Sequence, residues 1–127
     1  MRSIEDFCIE ESKYDLIIAV SALEHIDSER SFISKLSEIS NGVRTNGVVC
    51  LVINSEVKET DKSTGKEIPA QFEVNMSTEK MQAVLREKFS GFDVIKETVS
   101  AQRYDIPRED VISNLETRAV TFVAQKK

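Results

Sequence analysis

KYDLIIAVSALEHID, running from Lys13 to Asp27, is the stretch on which the fold of this chain turns. Its charged and aromatic lead-in, Lys13, Tyr14 and Asp15, gives way to an unbroken apolar run from Leu16 to Val20, which opens into Ser21, Ala22, Glu24 and His25. Successive side chains of a strand point to opposite faces, so a half-exposed strand alternates apolar and polar residues. A run without alternation is the mark of a strand covered on both faces, as in a parallel sheet. Ligands of open parallel sheets sit just beyond the carboxyl ends of the strands. Ser21 to His25 is therefore the first place to look for chemistry.

Downstream of this stretch the pattern changes period. Asp27 or Ser28 can accept a free amide hydrogen of a first helical turn, with Glu29 adding favourable charge there. Phe32, Ile33, Leu36 and Ile39 then recur at helical spacing before the Asn41-Gly42 stop, which predicts a helix from Ser28 to about Asn41. Asn46-Gly47 predicts a tight turn into a second continuous apolar strand, Val48 to Ile53. Strand, helix and parallel strand together make a crossover unit, expected to be right-handed. Asn54 to Asn75 reads as a long exposed loop, a lid or a tolerated insertion, because Lys58 to Glu67 is dense in charge and has no apolar residue.

Ser77 or Thr78 can cap a second helix, whose Met81, Val84, Leu85 and Phe89 make a core-facing stripe and which Gly91 ends. Phe92 to Tyr104, with Lys96, Glu97 and Arg103 among β-branched residues, predicts a half-exposed edge strand. Pro107 is placed to start a short helical turn carrying Val111, Ile112 and Leu115. Ala119 to Ala124 is the expected last strand, and Lys126-Lys127 a solvated end.

A length of 127 residues allows one domain with a modest core. A net charge of −5 with acidic and basic residues interspersed argues against a nucleic-acid footprint, which needs a clustered basic face. Cys8 and Cys50 show no metal-ligand or redox spacing, so no metal is expected, and Cys50 within Val48 to Ile53 reads as a small hydrophobe. MRSIEDF at the N-terminus has no apolar core and is no signal peptide, and no run approaches the ~20 apolar residues of a membrane span. The expected location is the cytoplasm.

Tyr14-Asp15, Leu16-Ile17-Ile18 and Leu23-Glu24-His25-Ile26 resemble the fourth strand and following loop of class I S-adenosylmethionine-dependent methyltransferases. The helix, strand, loop, helix and closing strand pair that follow are similar in order to that family over nearly all of the chain. The resemblance implies an α/β fold: a partial Rossmann-like arrangement whose mixed sheet has parallel strands, flanking helices and a C-terminal antiparallel hairpin. No strand here carries the family's Gly-rich turn for the methionine end of the cofactor, so residues 1–127 resemble the C-terminal portion of a methyltransferase domain, inactive by itself. The implied cofactor is S-adenosylmethionine. The implied acceptor is a small molecule, in the style of tellurite-resistance or other small-substrate members.

Carried over residue by residue, the resemblance puts Glu24 and His25 in catalytic positions facing the methyl group and the acceptor. Val20 and Ser21 fall at the cofactor's methionine portion. Ser3 and Ile4 fall at the adenine, with Ser3 standing where the family usually has an acid. His25 is the only histidine, and an imidazole with an ordinary pKa of about 6.5 can take a proton near neutrality. Methyl transfer itself asks mainly for alignment, with a base only where the acceptor must lose a proton. Each role has a plainer alternative: Glu24 and His25 brace the following helix, Ser21 is a small residue where the strand turns, and Met1 to Phe7 is a frayed terminus. The competing function is a non-catalytic methyltransferase-like interaction module. One sheet face and one apolar edge are expected to lack cover, which predicts a homodimer or pairing with an N-terminal half.

Overall fold

Strand β1 (Tyr14–Val20) lies parallel to β2 (Val43–Asp61), and the sheet continues antiparallel through β5 (Ile112–Lys126) to β4 (Phe92–Pro107), with the two-residue β3 (Glu67–Ile68) pairing β2 off this path. Among the described residues the other elements are helices α1 (Glu29–Gly42) and α2 (Thr78–Lys88) and a single 3-10 turn, Leu23–His25. The structure, a computed structural model, describes residues 13–20, 22–68, 74–107 and 112–127. The mixed sheet with parallel strands, flanking helices and a closing antiparallel pair is the α/β architecture expected from the sequence.

The helices form for the local reasons anticipated. The Ser28 hydroxyl accepts from the Ser31 amide at 3.1 Å and the Ser77 hydroxyl from the Lys80 amide at 3.1 Å, each satisfying a free donor of the first turn. Phe32, Leu36 and Ile39 of α1 and Met81 and Leu85 of α2 are fully buried. They cover the sheet face made by Val49, Leu51 and Ile53, which pair with Ala124, Phe122 and Val120 of β5 in that order. Phe89 closes this core from the end of α2, its ring 5.0 Å from Phe92 in an edge-on arrangement and 5.5 Å from Phe122.

The other face has no such layer among the described residues. Residues in register share a face, so Leu16, Ile18 and Val20 line up with Val48, Cys50 and Val52 away from the helices, while Ile17 and Ala19 line up with Val49 and Leu51 beneath them. Leu16, Ile18 and Val20 are 53%, 60% and 58% exposed. The expectation that the Leu16 to Val20 run is covered on both faces is therefore corrected: on β1 one face is buried and the other exposed, while Val48, Cys50 and Val52 on that same face of β2 are half-buried. β1 is also an edge strand, its outer side unpaired among the described residues.

Asn46-Gly47 is not a turn ahead of the second strand but a detour inside β2: Tyr14 pairs with Val43 and Leu16 already with Val48, so residues 44–47 loop outward. Asn46 takes φ of 70° there, in the left-handed region that Asn tolerates. The expected long loop shrinks, because β2 runs on to Asp61, where Asp61 accepts from the Ser63 and Gly65 amides in a tight turn. The turn is tied down by Lys62, whose ammonium meets Asp105 at 2.7 Å and whose amide donates to the Ile112 carbonyl at 2.9 Å. Residues 69–73 of the expected loop lie outside the described residues.

Of the helical turn expected after Pro107, residues 108–111 lie outside the described residues, and its later members are strand. Ile112 and Leu115 belong to β5, and Val111 lies outside the described residues. The final strand is thus longer than Ala119 to Ala124, and β4 is longer than Phe92 to Tyr104. Pro107, lacking an amide hydrogen, sits at the end of the edge strand β4, where no donor is required. Nor is Lys126 a free solvated end, since its ammonium donates to the carbonyls of Ser40 at 3.0 Å and Val43 at 2.9 Å, closing off the carboxyl end of α1.

Gly47 is the glycine on which the β1–β2 junction depends. A Cβ there would lie 2.7 Å from Val43 Cγ1, 2.8 Å from the Arg44 carbonyl and 3.0 Å from that of Asp15, whereas a Cβ on Gly91 meets nothing within 4 Å. Gly47→Ala is expected to lower unfolding free energy by about 1–3 kcal/mol, and Gly91→Ala to change it by less than about 1 kcal/mol. Urea titration of the two variants beside the parent checks this, and equal effects would count against the close approach at Gly47.

Candidate functional site

β1 ends at Val20, beside Val52, and the chain passes through Ala22 into a single 3-10 turn, Leu23–His25. The turn is closed by the His25 amide to the Ala22 carbonyl and the Ile26 amide to the Leu23 carbonyl, both at 3.2 Å. Leu23 and Ile26 are fully buried, which pins the turn against the core from both sides. His25 is exposed between them. The turn, and with it the exposed His25, stands at the carboxyl end of parallel strand β1.

Of the residues singled out in the sequence, the structure brings Val20, Glu24 and His25 together on this strand end and its turn. Ser3, Ile4 and Ser21 lie outside the described residues. A second group, not anticipated, stands at the same end of β2, where the apolar run breaks into Asn54-Ser55-Glu56. Its side chains form a connected polar rim. The buried Ser55 hydroxyl donates to the Arg118 carbonyl at 2.7 Å and shares a 2.8 Å hydrogen bond with the Thr78 hydroxyl, while the Thr117 hydroxyl donates to Asn54 Oδ1 at 3.1 Å. Polar groups taken out of water are costly unless paired, and these are paired.

The rim exists because β2 bulges. The register with β5 slips between Ser55 and Lys58, and Glu56 takes φ of 48°. Backbone groups released by the bulge find partners in the strand's approach to α2: the Glu56 amide donates to the Met76 carbonyl at 2.8 Å, and Asn75 brackets Val57 with two hydrogen bonds of 2.9 Å. The Glu56 carboxylate accepts from the Thr78 amide at 2.8 Å, at the amino end of α2. The Thr78 contacts, hydroxyl first and amide second, hold the Glu56 carboxyl below its ordinary 4.5, with Arg118 assisting. The Lys80 ammonium reaches Glu29, joining the amino ends of the two helices. The signal for this rim was legible in the abrupt Ile53-Asn54-Ser55-Glu56 change of polarity; Thr78 is marked locally only as a helix-cap candidate, and Thr117 not at all.

Among the described residues no three His, Cys, Asp or Glu converge as metal ligands, and no helix is long and apolar enough to cross a membrane. No protein-family model matches the sequence, and no curated protein matches it. Solved structures do. The fold is similar to that of TehB from Haemophilus influenzae, at 12% identity over 100% of this chain and 40% of that one, with a TM-score of 0.67. It is similar to a SAM-dependent methyltransferase from Methanosarcina mazei, at 13% identity over 98% of this chain and 65% of that one, TM-score 0.62. It is similar too to 1,6-didemethyltoxoflavin-N1-methyltransferase from Burkholderia thailandensis, at 13% identity over 98% of this chain and 48% of that one, TM-score 0.53. The chain therefore has the fold seen in these three structures, the last two of them methyltransferases, and it spans less than two thirds of the length of each.

A carboxyl whose folded-state pKa is depressed stabilises the fold fully above its unfolded value and loses that contribution as pH falls. For Glu56 the stability gap between the parent and Glu56→Gln is expected to be widest above about pH 4.5 and to close as the pH falls further. Denaturation of both proteins at pH 7 and pH 3 reads this, and a gap that stays constant would remove Glu56 as a charged cap of α2.

Proposed function

We propose that this chain supplies the acceptor-side part of an S-adenosylmethionine-dependent methyltransferase site, with a small molecule as methyl acceptor. The observation that carries the reading is the placement of Val20, Glu24 and His25 at the carboxyl end of parallel strand β1, in a fold that aligns along its whole length with methyltransferase structures. The small-molecule acceptor is supported by the Burkholderia thailandensis structure, which holds 1,6-didemethyltoxoflavin and S-adenosylhomocysteine.

The residues present fit the acceptor side of such a site. Val20 offers the cofactor's methionine portion an exposed apolar strand end, and His25 offers the acceptor an exposed imidazole on a turn held by Leu23 and Ile26. When bound, the cofactor supplies a sulfonium-activated methyl group. What this chain adds is position: a fixed turn whose backbone and imidazole stand beside the reacting centre, with His25 accepting the proton of an acceptor that must lose one. Glu24 shares the turn, while Ser3 and Ile4 remain the proposed contacts to adenine and Val20 and Ser21 those to the methionine portion. The open edge and bare face of β1 favour completion of the sheet by further polypeptide, either an N-terminal half or a second copy of the chain. A cytoplasmic location accompanies this reading. The bare face alone would equally serve a non-catalytic interaction module, so cofactor binding is the deciding observation.

Titration of 15N-labelled chain with S-adenosylhomocysteine, followed by amide shifts, tests the reading. Weak saturable binding is expected, with a Kd above about 0.1 mM for a partial site, and the shifted amides should cluster between Val20 and Ile26. His25→Ala should leave that binding nearly unchanged while lowering methyl transfer about a hundredfold once an N-terminal half completes the site. Shifts that map elsewhere, or none at 10-fold higher ligand, about 1 mM, would overturn the assignment and leave the interaction module.

A further inference from the structure

Beyond the helices, the long strands β2, β5 and β4 carry a second concavity of about 440 Å³, lined by Glu56, Lys58, Ala101, Arg103, Glu116 and Arg118 among others. Its composition follows from register. Lys58 and Arg103 both pair with Glu116 from opposite sides, so the three side chains share one rung and one face. Two residues along β5, Arg118 shares that face and pairs with Ala101 on β4 and with Ser55 on β2. Ser55 is withdrawn into the rim through Thr78, and Ala101 has a side chain too short to fill its place. The gap between the two rungs is what opens the pocket, and the β2 bulge aims Glu56 and Lys58 at its wall.

Charge is divided unevenly there. The Glu116 carboxylate meets the Arg103 guanidinium at 2.8 Å, and Asn114 Oδ1 takes the Arg103 Nε hydrogen at 3.0 Å. The Glu56 carboxylate is engaged by the Thr78 amide at 2.8 Å and attracts Arg118 electrostatically. Three cations thus face two carboxylates that already have partners. Among the described residues the Lys58 ammonium has no hydrogen-bond or ion-pair partner, and the Arg118 guanidinium has no hydrogen-bond acceptor.

We infer that this pocket binds a small molecule through a carboxylate or phosphate group held between Lys58 and Arg118. A guanidinium presents two parallel donors to such a group, and the ammonium adds a rotatable third, while the Arg103–Glu116 pair forms a fixed wall beside them. The inference does not depend on methyl transfer at β1, since none of the pocket's residues belongs to that strand end or its turn.

Inorganic phosphate and succinate are the probes, one tetrahedral and one planar, titrated separately into 15N-labelled chain at low ionic strength. At least one of them should bind saturably with a low-millimolar Kd and shift amides of residues 56–58, 101–103 and 116–118. Preference for phosphate or for succinate identifies which oxyanion the pocket takes. Lys58→Gln and Arg118→Gln should each weaken binding fivefold or more, and 0.3 M salt should weaken it further; Lys66→Gln, in the exposed turn outside the pocket, should have no effect. Arg118→Gln is read only with its far-ultraviolet circular dichroism unchanged, and Lys58→Gln, on an exposed side chain, stands as the independent variant. Absence of saturation by both probes, or an equal loss in Lys66→Gln, would overturn the site.

Discussion

The parallel pairing of β1 with β2 is the constraint from which the rest of the structure follows. Because side chains alternate along a strand, the register that sets Leu16 against Val48 decides in one step that Ile17 and Ala19 lie beneath the helices and that Leu16, Ile18 and Val20 do not. A slip of one residue would exchange the two faces. The register is fixed at its start by the detour at residues 44–47, which Gly47 alone permits at that closeness, and by Asp15, whose carboxylate receives the Arg44 guanidinium across the junction at 3.1 Å on its second oxygen. That ion pair is exposed and contributes little stability by itself. The close approach that Gly47 allows is the tighter constraint.

From the same register comes the position of both candidate sites. β1 stops at Val20 and β2 continues, so the turn carrying Glu24 and His25 stands at the end of one strand while its neighbour extends past it to Asp61. The extension is what carries Glu56 and Lys58 out to a place where β5 and β4 can meet them with Arg118 and Arg103. Along it the sheet changes character from an apolar core beneath two helices to a polar surface whose buried members, Ser55, Thr117 and Asn54, are tied to one another. The bulge at Ser55 to Lys58 is the joint between the two regions, and Asn75 is the side chain that closes it.

Most of the fold could be read from local pattern. Leu16 to Val20, the spacing of Phe32, Leu36 and Ile39, the caps at Ser28 and Ser77 and the run Val48 to Ile53 each correspond to an observed element, since each depends on neighbours close in sequence. What was not legible depends on residues far apart. Charged Lys58 to Asp61 look like loop, yet they are strand because β5 supplies partners from Ser113 to Glu116. Ile112 and Leu115 after Pro107 suggest a helical turn, and β2 and β4 override it from both sides. The apolar run of β1 was readable as strand, but its open face was not readable from the run itself, because an apolar side chain gives no sign of whether a layer lies over it. For the site, Glu24 and His25 were visible as the first titratable residues past an apolar strand, whereas the Ser55–Thr78 and Asn54–Thr117 pairs, 23 and 63 residues apart in sequence, were not.

An open apolar row on an edge strand that is unpaired among the described residues leaves hydrophobic surface and backbone donors for another chain to satisfy, and a twofold contact lets one such patch serve two copies. The central claim, that β1 offers an incomplete sheet to further polypeptide, is tested most directly by light scattering after size exclusion at tens of micromolar, approximately the range in which a Kd near 1 μM saturates. The account predicts a dimer or larger species for the parent chain and a shift to monomer for Ile18→Lys, which places a charge in the middle of the open row without touching the helix-covered core. A monodisperse monomer for the parent, with no difference in Ile18→Lys, would contradict it.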